Sequence, residues 1–472
     1  MRRGFNRDIK GCQIVGLQPL KLLPAFISAS PNAKFPHSRE VNMRRLRLHF
    51  FFALTIFSFA LSARAADEPA KALRFGRVID GHGKVWADAF ILVRGDRIAA
   101  LTTDASKIPA GAEIIDLRRF TAIPGLIDVH THITYYLDQS SKVPPFDQVS
   151  GPRLPAVTVF LAQENARRTL EAGVTTVRDL SANDWDDIAM RDLINRGAML
   201  GPRMFVAGYG LAVADAPPHP GYVRPLGRAD NEDEIKRVIR EHVSAGVDVI
   251  KMFASTGTDK DTTGFQTYTY DEIHTAVELA HKYGLKIAVH SYGPDGARDA
   301  VRAGADSVEH ATDMDDATIA EMARRGTFYV PTIDHNRWYA EHIQIFRWDN
   351  EKQIADGLND YIRRNFETAR RAFKAGVRFA MGSDALFTMC GENTRELAWF
   401  VKLGMTPEQA LATATTNAAK LLGHENDLGA IAPGYFADVV AVEGDPLADV
   451  NVTINHVRWV MKSGVVVVDK SK

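Results

Sequence analysis

Seven times in the middle of this chain a helical pattern ends at a glycine and an apolar strand pattern follows. The junctions are Gly173 (then Val-Thr-Thr-Val), Gly197, Gly246 (Val-Asp-Val-Ile), Gly284 (Leu-Lys-Ile-Ala-Val), Gly304, Gly326 (Thr-Phe-Tyr-Val) and Gly376 (Val-Arg-Phe-Ala-Met). Glycine is favoured just past a helix because that position often takes a left-handed backbone. With the strand leading into His130, the junctions make eight strand–helix units. Eight units in about 300 residues is the repeat of a (β/α)8 barrel. A doubly wound open sheet is the alternative, but no Gly-x-Gly-x-x-Gly fingerprint follows a first strand.

Both ends of the chain have a different pattern. Ile91–Leu101 reads as a hairpin with Gly95-Asp96 at its turn. Residues 437–446 and 457–468 are again short strands broken by glycine. The fold class expected is therefore α/β: a (β/α)8 TIM barrel over residues 125–426, with a small β-sandwich domain built from residues 66–124 and 427–472. A chain of 472 residues, 46% hydrophobic and 24% charged, has enough apolar material for such a core. Its formal net charge of −1 gives no reason to expect nucleic acid or an acidic membrane surface as partner.

Residues 44–65 combine a basic start, a short apolar run and Ala63-Arg64-Ala65, the marks of a secretory signal with a small-x-small cleavage site. Met43 stands directly before it. The expectation is translation from Met43, residues 1–42 as a non-native extension, 43–65 as a signal peptide, and a mature protein exported to the periplasm or secreted. The apolar run is shorter than the ~20 residues of a spanning helix, so no stable membrane span is expected after processing. Of the two cysteines, Cys12 would leave with the leader and Cys390 would remain, so no internal disulfide is expected.

Six residues fall at the carboxyl ends of the barrel strands, where such folds place their chemistry. His130 and His132 close the first strand in Pro124-Gly-Leu-Ile-Asp-Val-His-Thr-His132, and alternate strand residues share a face. Lys251 closes the fourth, His290 the fifth, His310 the sixth and Asp384 the eighth. Singly, each has a plain structural reading: a hydrogen-bonded histidine, a helix-capping aspartate, a lysine reaching solvent. Those readings leave the shared location unexplained. Imidazoles and a carboxylate at one point are metal ligands. A lysine beside two cations makes sense if its amine has reacted with carbon dioxide, giving an anionic carbamate that can bridge two metals.

The chain resembles the amidohydrolase superfamily in its binuclear, carboxylated-lysine form, from about residue 73 to the end. The motifs that carry the resemblance are Pro124–His132, Gly173-Val-Thr-Thr-Val-Arg-Asp179, Val308-Glu-His310, Gly382-Ser-Asp384, Gly391-Glu-Asn-Thr-Arg-Glu396, residues 406–419 and residues 429–440. Within it the chain is most similar to the imidazolonepropionase-related, prolidase-like group, which includes Xaa-Pro and Xaa-Arg/Lys dipeptidases and ochratoxin-type amidases. Imidazolonepropionase itself uses one metal and lacks the bridging lysine, so Lys251 argues against that activity.

The resemblance implies two divalent metal ions, zinc by default, and carbon dioxide as the lysine carbamate, held by His130, His132, Lys251, His290, His310 and Asp384. It implies hydrolysis of a C–N amide bond by a metal-bridging hydroxide with Asp384 as proton shuttle, and Tyr292, in His-x-Tyr, as a donor to the substrate carbonyl. The expected partner is a small molecule, a dipeptide or N-acyl amino acid, and the chain is compatible with a homo-oligomer. For a substrate carboxylate, His335 and Arg337 after the seventh strand and Tyr135 and Tyr136 after the first are candidates. Cys390 stands where relatives often carry histidine. Two alternatives remain open: cyclic amides, lactones or xenobiotic amides as substrates, and a barrel that binds without catalysis.

Overall fold

In chain order the strands are β1 (Lys71–Ile79), β2 (Val85–Arg94), β3 (Arg97–Thr102), β4 (Glu113–Pro124), β5 (Leu126–Thr131), β6 (Val174–Asp179), β7 (Arg203–Val206), β8 (Val249–Phe253), the short pair β9 (Ser255–Thr256) and β10 (Phe265–Gln266), β11 (Lys286–Ser291), β12 (Ser307–His310), β13 (Phe328–Val330), β14 (Arg378–Phe379), β15 (Val439–Val442), β16 (Val457–Lys462) and β17 (Val465–Asp469). This computed structural model describes residues 70–151, 153–213, 227–256 and 264–472. The N-terminal extension, the expected leader and Cys12 lie outside the described residues.

Apart from the short antiparallel pair β9–β10, the middle strands are parallel. β5, β6 and β7 form one sheet, and β8, β11, β12, β13 and β14 another. Backbone hydrogen bonds join the two sheets at both seams. Between β7 and β8, Asp248 N donates to Val206 O at 2.8 Å, and Leu211 N to Lys251 O at 2.9 Å. Between β14 and β5, Val129 N donates to Met381 O at 2.9 Å, and Asp384 N to His130 O at 2.7 Å. The eight parallel strands are thus hydrogen-bonded in cyclic order. β5 and β6 are buried at every position, as parallel strands covered on both faces should be.

The glycine junctions set the direction of each return. All seven have positive φ. Helix Glu232–Ala245 starts at Asn231, whose side chain accepts from Glu234 N, and stops at Gly246 with φ +83°. Helix Tyr270–Lys282 opens with a Thr269/Glu272 capping box and is followed by Gly284 at φ +75°.

The terminal strands form one sheet in the order β17-β16-β15-β4-β1-β2-β3. Its strands are drawn from both ends of the chain, and Ile98 N donating to Tyr435 O at 2.9 Å joins β3 to the segment before β15. Its hinge is β4, which pairs in parallel with β1 and antiparallel with β15. The expected hairpin is present, with Arg94 opposite Arg97 across Gly95-Asp96. Strand alternation gives this sheet two apolar faces. Val439, Ala441, Trp459 and Met461 pack with Leu73, Phe75 and Ile91 in one core. Val440, Val442 and Val460 join the larger core around Leu170 and Val174, against the ring of parallel strands. Arg203 on β7 secures that contact through Asp438 at 2.6 Å and Ser463 at 2.9 Å. No helix among the described residues is long and apolar enough to cross a membrane.

Candidate metal centre

The six residues singled out from sequence meet at the carboxyl end of the parallel strands. His130 lies in β5 and His132 directly follows it, Lys251 lies in β8, His290 in β11, His310 ends β12, and Asp384 follows β14. All are buried. One ligand atom from each of His130, His310 and Asp384 fits within a 4.8 Å span. His132 Nε2 lies 3.1 Å from Asp384 Oδ1. Lys251 Nζ lies 3.3 Å from His130 Nε2, and the His290 ring is centred 4.6 Å from that of His310.

The backbone is bent to achieve this. His310 and Asp384 take φ of +68° and +56°, a left-handed conformation that costs non-glycine residues roughly 1–3 kcal/mol each. Such strain persists only where neighbours over-determine it. Asp384 is fixed by its own N–H to His130 O and by His335 Nδ1, which donates to Asp384 O at 2.9 Å. Gly382 makes the approach of the last strand possible. A Cβ there would sit 2.4 Å from Val330 Cγ1 and 2.7 Å from His130 Cβ. Gly382→Ala should lower stability by about 1–3 kcal/mol and weaken metal binding, both readable in a melt with and without a chelator; an unchanged melt and metal content would contradict this packing.

The hydrogen bonds of the histidines assign their free nitrogens. His130 Nδ1 faces the Glu309 carboxylate at 2.8 Å, an acceptor, so Nδ1 carries the proton. His132 Nδ1 faces Ser181 O at 3.2 Å, and His335 Nδ1 faces Asp384 O, again acceptors. In its neutral form each ring therefore turns an Nε2 lone pair inward. Those lone pairs face Asp384 oxygens at 3.5 Å (His130), 3.1 Å (His132) and 3.3 Å (His335). Asp384 Oδ1 is buried and has no hydrogen-bond partner among the described residues. Lone pairs turned on a bare carboxylate oxygen repel unless a cation lies between them, so this donor set fits divalent metal.

Electrostatics agree. Burial, then the nearby Lys251 charge, holds the His130 imidazolium pKa down to about 4, leaving a neutral ligand. Burial and His290 hold His310 well below its ordinary value. For Asp384, burial pushes the pKa upward, but positive charge at His335, His130 and His132 outweighs it and holds the carboxylate well below its ordinary value; with those rings neutral, a bound cation would supply that charge. Burial brings the Lys251 amine down to about 8, against the opposing pull of Glu309 and Asp384. Near neutral pH a usable fraction is then free amine, the form that reacts with carbon dioxide.

Sequence reasoning missed the shell behind these ligands. Glu309, Arg178, Asp128 and Thr332 hold His130, Glu309, Ser383 and His310 respectively. Asp128 accepts from His130 N, Ser383 N and Oγ, and Asn393 Nδ2. Glu309, Arg178 and Asn393 lay inside the quoted motifs, and period-two counting on β6 would have turned Arg178 inward.

The substrate-side candidates divide. Tyr292 is half-buried, with its ring 4.5 Å from His290 and 4.9 Å from His310. Tyr135 stacks on His132 at 5.0 Å. His335 touches Asp384. Arg337 is held instead by Asp334 at 2.8 Å, by Glu341 and by Glu392, away from the ligands. Tyr136 offers its carbonyl to Arg153 and touches no ligand among the described contacts. Cys390 is buried beside Tyr135 and Phe387, and burial pushes its thiol pKa up, so it is not a nucleophile.

The family model described as the amidohydrolase family matches residues 121–467. The chain belongs to the amidohydrolase family. Members of this family are hydrolases of amide and other C–N bonds. Ochratoxinase of Aspergillus niger is 29% identical over 413 residues, spanning 80% of this chain and 82% of its own. Imidazolonepropionase of Deinococcus deserti is 26% identical over 405 residues, spanning 80% of this chain and 91% of its own. Among solved structures, a Xaa-Pro dipeptidase with methionine bound in its active site is 30% identical, with a TM-score of 0.76 over 84% of this chain and 99% of that one.

Proposed function

We propose that this amidohydrolase cleaves the amide bond of a dipeptide or an N-acyl amino acid, using two divalent cations held by His130, His132, Lys251 as its carbamate, His290, His310 and Asp384. We read the cyclic set of parallel strands as a (β/α)8 barrel carrying this centre. The observation that carries the proposal is the convergence of inward Nε2 lone pairs on the unpartnered Asp384 Oδ1. The dipeptidase with bound methionine, a free amino acid, supports an amino acid as product.

When bound, the cations acidify water and polarise the substrate carbonyl. The chain's own groups do the rest. Asp384, ionised and buried, can take the proton of the attacking water and deliver it to the leaving nitrogen. The Tyr292 phenol is kept protonated by burial, which raises its pKa well above 10, so it can donate to the carbonyl oxygen as negative charge develops. Tyr292→Phe should lower kcat by about 10²-fold and leave metal occupancy unchanged; a wild-type kcat would remove Tyr292 from the mechanism.

The test of the function is hydrolysis of a dipeptide and N-acyl-amino-acid library by protein reconstituted with zinc and bicarbonate. Release of a C-terminal amino acid is expected. No release from protein shown to hold two metals per chain would move the assignment to cyclic or xenobiotic amides. We further propose that the enzyme acts after export, on the strength of the leader pattern at residues 43–65; a mature N-terminus far from Ala66 would contradict it.

A further inference from the structure

Barrel interiors are usually filled by branched apolar side chains. Below this metal centre the filling is polar. Arg178, Ser307 and Glu309 are fully buried. Arg178 spans the ring, donating from Nε to Val129 O on β5, from Nη1 to Ser307 Oγ at 3.0 Å and from Nη2 to Glu309 Oε1 at 2.8 Å on β12. Ser307 also donates to Glu309 Oε1. Glu309 Oε2 takes no part in that pairing; its partner is His130 Nδ1 at 2.8 Å. The other nitrogen of the same ring faces Lys251 Nζ at 3.3 Å.

We propose that Glu309, itself locked by Arg178, is a positioning residue of the metal centre: it fixes His130 as the Nδ1–H tautomer and aims Nε2 at the metal. A pair serving only to fill the barrel would need one carboxylate oxygen on the guanidinium and nothing on a ligand. Here the two oxygens are divided between the brace and the ring. Because His130 lies between Glu309 and Lys251, holding its ring also holds Nε2 at its place beside the lysine amine. The inference rests on the metal-centre reading above.

The test removes the buried charges together, because losing one partner alone would strand the other. Arg178→Met/Glu309→Leu leaves no acceptor for His130; Arg178→Met/Glu309→Gln keeps one. Metal affinity is read by competition with a chromophoric chelator, and ligand geometry by the visible spectrum of the cobalt-loaded protein. The expected result is a 10–100-fold loss of affinity and an altered spectrum in the Leu variant, with most of both restored in the Gln variant. Wild-type affinity and spectrum in a folded Leu variant would overturn the inference. If neither variant folds, the metal-free wild-type protein labelled with 15N-histidine decides: His130, assigned by its absence from a His130→Gln spectrum, should be protonated at Nδ1, and an Nε2–H tautomer would overturn the inference. A wild-type protein that binds no metal would defeat the metal-centre reading instead, and the tautomer measurement would still judge the role of Glu309.

Discussion

Asp384→Asn should retain wild-type metal content and lose about 10²–10⁴-fold in kcat, the usual worth of a positioned acid–base group. Asparagine keeps the shape of the side chain and one oxygen that can face a metal. Its amide NH2 can donate to the His335 Nε2 lone pair, which lies 3.3 Å from Asp384 Oδ2 in the native protein. The fold around residue 384 should therefore survive, and the melting temperature should stay close to that of the wild type. What the amide lacks is a basic oxygen that can accept a proton and release it to nitrogen. The loss should fall on kcat, with KM little changed, because the proton moves only in the transition state. Metal analysis and kinetics on the same preparation check both halves. Full activity in a metal-replete variant would remove Asp384 as the shuttle, whereas loss of metal would show that both its oxygens are needed as ligands.

The ring of strands and the meeting of the six candidate ligands at one end of it were legible in the sequence for one physical reason. A glycine that follows a helical pattern and precedes an apolar strand pattern marks the end of that helix, and Gly246 and Gly304 do so with φ of +83° and +94°. Once strand ends are marked, residues at those ends are neighbours by construction of the fold. Glu309 was not legible as a partner because it adjoins His310, and adjacent strand residues ordinarily face opposite ways. The left-handed turn at His310 ends that alternation, so both residues serve the site. Arg337 failed for the opposite reason. The sequence places His335 and Arg337 after the seventh strand, and there Ile333–Glu341 is a helix. His335 and Arg337, two apart on a helix, do not share a face. The pairing of β4 with both β1 and β15 joins segments more than 300 residues apart in the chain, which no local pattern reports.

Lys251→Ala should lower the metal content from two ions per chain and reduce kcat/KM by on the order of 10³-fold, more than the 10–100-fold typical of losing a partner behind a ligand. Lys251 is fully buried, and its amine lies 3.3 Å from His130 Nε2 and 5.1 Å from the centre of the Phe253 ring. A buried ammonium there would be costly and would repel the cations it adjoins. The amine brought down to about 8 is the uncharged alternative that can combine with carbon dioxide. Lys251→Arg separates the two descriptions. Arginine keeps a positive charge and much of the length, but it is not deprotonated in proteins and cannot form the carbamate. If the site needs only a cation, the arginine variant should keep its metals and activity. If it needs the carbamate, both variants should be metal-poor, and only the wild-type protein should gain metal and activity when bicarbonate is added during reconstitution. Bicarbonate-independent loading of the wild type, or two metals in Lys251→Ala, would mean that the lysine is not a ligand.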